Sequence, residues 1–106
     1  MNHSPKNIIS NYYQAWIQNN KDLAESYLYK SLHFKSPNDE FHSAQEFLNA
    51  CWQYSNTFTE FNIVQEVYSE NDAYIVYKMG EMHIGELIKT KNNKITEIYV
   101  TFNPTV

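Results

Sequence analysis

An α+β fold is what this sequence predicts, and three observations carry the prediction. Apolar residues recur at helical spacing through the first half of the chain, in two stretches that follow helix-capping signals. Beyond Thr57 that period is lost. Runs rich in β-branched and aromatic residues take over, separated by polar turn tetrapeptides. Helices followed by a meander of strands make a layer of helices over one face of a curved, mostly antiparallel sheet.

Ser4 before Pro5 pairs an N-cap with the residue best suited to the first helical position. From there Ile8, Ile9, Tyr12, Tyr13, Trp16 and Ile17 define one apolar stripe. Leu23, Ala24, Tyr27 and Leu28 repeat the pattern, so a second helix should pack back on the first and end before a strand that opens at Leu32. In that strand, "LHFKSPND", Leu32 and Phe34 share one face with Ser36, and Pro37 cannot continue the ladder. "SAQE", Ser43 to Glu46, has capping-box spacing and precedes Phe47, Leu48, Cys51 and Trp52, which predicts a third helix. Four strands follow in "FTEFNIVQEVY", "AYIVYKM", "MHIGELIKT" and "ITEIYVTF", with "SEND" and "KNNK" as turns. No repeat or linker interrupts the pattern, and residues 1–106 read as one domain.

Composition narrows the function. Acidic residues outnumber basic ones by 12 to 8, and every basic residue is lysine. Without arginine there is no bidentate grip on phosphate or guanine, and the lysines are scattered, which argues against a nucleic-acid partner. Aromatic residues make up 16% of the chain, enough large rings to line a cavity. Cys51 stands alone and cannot close an intramolecular disulfide; on its helical face it reads as a small buried hydrophobe. No run approaches a membrane span and the first residues lack a signal-peptide core, so a cytoplasmic protein with no membrane partner is expected. His3, His33 and His42 show no metal-ligand spacing with one another or with Asp39 and Glu40. Neither a metal nor a cofactor is expected.

"NYYQAWIQNNKDLAESYL", "HFKSPND", "SAQEFL" and "KITEIYVTFNP" together resemble, in order, the signposts of the SnoaL-like, nuclear-transport-factor-2-like superfamily, which includes ketosteroid isomerases and polyketide cyclases. The resemblance implies a cone-shaped, cystatin-like barrel in which a bent sheet wraps a pocket closed by the first helix. In the isomerase relatives the strand before the proline ends in an aspartate that serves as general base. Ser36 stands at that position here, and a serine hydroxyl alone is no base near neutral pH. Ser36 is therefore either a polar pocket residue or a strand-end hydroxyl that satisfies local backbone.

The same resemblance places Tyr12 at the position of an oxyanion-binding tyrosine and Glu86 near that of a late-strand acid. Burial in an apolar cone would raise the pKa of Glu86, making it a donor when neutral and a base when charged. Trp16, Phe34, Trp52, Ile98, Val100 and Phe102 complete the expected lining. His83 belongs near the mouth, with Gly85 as a candidate bulge that would turn it inward. Two functions follow as expectations. One is binding of a small apolar ligand, with isomerase- or cyclase-like acid/base activity through Glu86 and Tyr12. The other is a non-catalytic homodimer formed through the sheet face, with Tyr68, Tyr77 and Tyr99 as contacts.

Overall fold

The computed structural model describes residues 4–103. Helix α1 spans Pro5–Ile17, and the Ser4 hydroxyl accepts from the Asn7 amide at 3.3 Å, as an N-cap should. It ends where Asn19 takes a positive φ of 56°, a left-handed stop that asparagine tolerates. Asn20 then caps α2, Lys21–Ser26.

Helix α2 is shorter than the sequence periodicity suggests. Leu28 does not continue it but opens strand β1, Leu28–Lys35. The reason lies far along the chain: Leu28 pairs with Ile95, and the Ile95 amide donates to the Tyr27 carbonyl at 2.8 Å. A two-residue strand, β2 at Glu40–Phe41, was not expected from sequence. It folds back on β1 with Phe34 opposite Phe41 and Lys35 opposite Glu40.

Ser43 caps α3, Ala44–Cys51, accepting from the Glu46 amide at 3.1 Å. A 3-10 helix, Trp52–Glu60, carries the helical path past Thr57 before the meander begins. The meander comprises β3 (Phe61–Tyr68), β4 (Asp72–Met79), β5 (Met82–Lys91) and β6 (Lys94–Phe102). Asn92 and Asn93, with φ of 54° and 66°, form the tight turn between the last two.

The six strands lie in the order β2-β1-β6-β5-β4-β3. Only β1 and β6 run parallel; every other neighbour is antiparallel. Register shifts between Ile63 and Gln65 and between Lys89 and Thr90 bend the sheet, which curves around the helices without closing. Its concave face carries Leu32, Ile75, Ile88, Ile95 and Ile98, all at most 1% exposed. Each such side chain stabilises the fold by about 1.5–3 kcal/mol of apolar burial. Trp16 joins helix to helix, with its ring 5.1 Å from Phe58 and 4.3 Å from Trp52. Among the described residues no helix is long and apolar enough to cross a membrane.

Candidate active site

Toward the Phe102 end of β6 the concave face is not filled. A cavity of about 370 Å³ remains between α1, the 3-10 helix and the sheet. Strand alternation decides what it meets: Tyr77 of β4 pairs with Ile84, and Glu86 of β5 with Ile75 and Val100, so all of these point inward. Exposed Asp39, Tyr54, Met82 and Phe102 mark the rim, and the buried trio Tyr13, Tyr77 and Glu86 marks the floor.

Glu86 is 8% exposed, the one buried charged side chain among the described residues. Tyr13 donates its hydroxyl to Oε1 at 2.9 Å, and Tyr77 donates to Oε2 at 2.5 Å. Burial pushes the Glu86 carboxyl above the usual range, while the two hydroxyls partly oppose that rise because they favour the ionised form. Tyr12, Tyr13 and Tyr77 are held well above the ordinary tyrosine value by burial first and by the Glu86 charge second. They stay protonated donors. Burial also pushes the Cys51 thiol, in the cavity wall, up to about 11, which keeps it from being a nucleophile near neutrality.

Several expected residues meet here. Glu86 and Tyr12 both line the cavity, with Trp16, Phe34, Ile98 and Val100 as wall and Phe102 at the mouth. Ser36 lines it too, and its hydroxyl accepts from the Asp39 amide at 3.2 Å. It therefore both closes the turn and faces the cavity.

Two expected lining residues do not meet it. Trp52 sits behind Trp16 and spends its indole N–H on the Asn19 side-chain carbonyl at 3.0 Å. His83 lies on the convex face, because Gly85 pairs regularly with Val76 and Thr101 and makes no bulge. Tyr74 covers the glycine: a Cβ would stand 2.4 Å from its hydroxyl, so a larger residue there requires Tyr74 to shift.

Three residues of the site went unanticipated. Tyr13, not its neighbour Tyr12, bonds Glu86; Tyr77, expected at a dimer surface, is buried on the same carboxylate; and Asp39 brings a second acid to the rim. Tyr68 also lies on the helix side of the sheet, paired with Ala73, which leaves only Tyr99 of the three expected dimer tyrosines facing outward.

Two of the histidines lie closer in space than their sequence spacing implies. His33, Glu40 and His42 are separated in sequence, but the β1–β2 hairpin gathers them on the convex face with ligand atoms all within 4.8 Å of one another. His3 lies outside the described residues.

No protein-family profile matches the chain, and no curated protein does. Solved structures match closely in shape. A nuclear-transport-factor-2-like protein of unknown function from Cytophaga hutchinsonii superposes with a TM-score of 0.83 at 16% identity, covering 98% of this chain and 94% of its own. A candidate isomerase of the SnoaL-like family from Agrobacterium tumefaciens gives 0.73 at 10% identity, covering 93% and 97%. A candidate ketosteroid isomerase from Kribbella flavida gives 0.67 at 5% identity, covering 93% and 77%. The chain has the nuclear-transport-factor-2-like, cystatin-like fold. At these identities the likeness extends to architecture and not to chemistry.

Proposed function

We propose that this protein binds a small apolar ligand in the concave cavity and performs acid/base chemistry on it through Glu86. The observation that carries the reading is a buried carboxylate at the floor of an apolar cavity, held by two tyrosine hydroxyls. Its volume falls within the range of small-molecule sites. A carboxyl raised toward the working pH is both a stronger base when ionised and an available acid when neutral. Tyr13 and Tyr77 orient the carboxylate, and each of its oxygens keeps a lone pair for a ligand proton. Tyr12 and Trp16 line the cavity from α1 with aromatic surface, which suits an apolar ligand. Ser36 at the base position of the isomerases shifts the proton-transfer role to Glu86, with Asp39 at the rim. The lone thiol of Cys51 suits a reducing, cytoplasmic setting.

Thermal-shift screening against planar apolar ketones and hydroxylated aromatics tests the reading, with Glu86→Gln as the control. The expected result is a ligand that stabilises both proteins and is turned over only by the wild type. Silence of both proteins toward every compound would leave the second reading, assembly through the convex sheet face. That face exposes Val67 at 56% and Tyr74 at 37%. Sedimentation of wild type against Val67→Lys measures it, with a homodimer that dissociates on substitution as the supporting result.

A further inference from the structure

On the opposite side of the sheet, β1 and β2 build a second polar centre that the cavity chemistry does not use. Lys35 pairs with Glu40 and Phe34 with Phe41, so one further pair along the hairpin sets His33 opposite His42. Strand alternation sends Phe34 and Phe41 inward together and leaves His33, Glu40 and His42 together outside. The Glu40 Oε2 atom lies 2.6 Å from His33 Nε2 and 3.7 Å from His42 Nε2.

A hydrogen-bond chain lies behind His33. Tyr99 donates its hydroxyl proton to Glu97 Oε1, so toward His33 Nδ1, 3.2 Å away, the phenol oxygen can only accept. In that arrangement Nδ1 is the donor of the pair. Nε2 then faces the Glu40 carboxylate at 2.6 Å, a contact that needs a positive species between the two atoms. A second ring proton would serve, and so would a metal dication. Nδ1–H bonded outward with Nε2 free is the orientation that metal-ligating histidines adopt.

We propose that His33, Glu40 and His42 form a binding site for a first-row transition-metal dication of the Zn²⁺ class, with Tyr99 and Glu97 orienting His33 from behind. Two imidazole nitrogens and one carboxylate oxygen are the donor set such ions take, and water completes the coordination. Ligand atoms around a tetrahedral ion stand about 3.3 Å apart at the usual bond lengths. Glu40 must therefore withdraw slightly from His33, and His42, stacked 5.0 Å from His33, must turn its ring. Both are exposed and free to do so. Lys35, opposite Glu40, is the competing cation and swings away when the ion enters. The ion would clip β2 to β1 beside Ser36 and Asp39, at the cavity rim.

Titration calorimetry of the untagged chain with Zn²⁺ tests the site. The expected result is one strong site per chain, weakened at least ~10-fold by His42→Ala and by Glu40→Gln, both exposed positions whose change leaves the fold intact. Tyr99→Phe should weaken it by roughly 10-fold while keeping the stoichiometry, because it removes only the group that orients His33. His83→Ala, on the same sheet face, serves as the control and should change nothing. Co²⁺ should develop visible d–d bands that His42→Ala abolishes. Absence of binding, or binding that survives both His42→Ala and Glu40→Gln, would overturn the proposal and leave the cluster as a proton-bridged ion pair.

Discussion

Glu86 and Glu40 are the same functional group on opposite faces of one sheet, each with two ring-bearing partners, and their protonation behaviour diverges. Glu86 faces inward between Tyr13 and Tyr77, and desolvation raises its pKa despite both hydrogen bonds. Glu40 faces outward between His33 and His42; with water at hand, the His33 hydrogen bond prevails and its pKa falls. Inside, burial is the larger effect; outside, the partner is. A strand's two-residue alternation thus sorts its side chains into two chemistries. On the two proposals above, the concave face would carry proton transfer on an apolar ligand and the convex face would hold a cation.

The sharpest way to break this contrast is to remove the donors and keep the acid. Replacing both Tyr13 and Tyr77 by Phe leaves a buried carboxylate with neither hydroxyl, and a loss of about 3 kcal/mol is expected at neutral pH. Adding Glu86→Gln should recover much of it, since the charge that needed the donors is gone. Urea denaturation of the three proteins measures this. Simple additivity of the substitutions would show that the trio does not act as a unit.

A smaller effect is the pH dependence carried by Glu86 alone. Its folded-state pKa lies above the unfolded one, so the folded chain holds the proton more tightly. The stability this contributes is complete below the ordinary glutamate value of about 4.3 and is lost as pH rises through the raised folded value. Glu86→Gln lacks that loss. Its stability relative to wild type should therefore climb across this window and then level off, as read by denaturation midpoints at a series of pH values. A flat difference would mean that burial does not raise the Glu86 carboxyl.

Much of the architecture was legible because its signals are local. Ser4 with Pro5 and Ser43 with Glu46 cap helices as the spacing implies, and the two asparagines of "KNNK" both take positive φ. What escaped depends on partners distant in sequence. Tyr12 and Tyr13 are equally buried on α1, and no periodicity says which hydroxyl reaches a strand that folds 73 residues later. Leu28 fits a helical stripe as well as a strand, and its pairing with Ile95 decides. Glu86 was accessible through strand alternation together with the family resemblance, whereas Tyr77 required the β4–β5 register. The metal-type cluster had a signal that spacing alone did not convey. "HFKSPNDEFH" opens on His-Phe and closes on Phe-His, and a hairpin folded at Pro37–Asn38 sets His on His and Phe on Phe.

The convex face should tolerate crowding that the floor would not. Gly85→Ala places a methyl 2.4 Å from the Tyr74 hydroxyl and 2.9 Å from Thr101 Oγ1. Both contacts are ends of exposed side chains that can swing outward, with loss of the weak Tyr74–Thr101 bond at 3.5 Å. A cost of about 1 kcal/mol is expected, the low end for overpacking, as measured by denaturation. A loss rivalling the tyrosine pair would show that this face is as tightly packed as the core.

The smallest effect should come from Glu40→Gln without added metal. Its carboxylate gains one strong hydrogen bond from His33 but stays solvated, and salt screens what Coulomb energy it has. Removing the charge leaves His33 still anchored by Tyr99 and leaves the hairpin's inner pair, Phe34 on Phe41 at 5.8 Å, untouched. The denaturation midpoint should therefore stay at the wild-type value within error. A clear drop would mean that the edge strand depends on this ion pair, and the two carboxylates would then differ in location but not in structural weight.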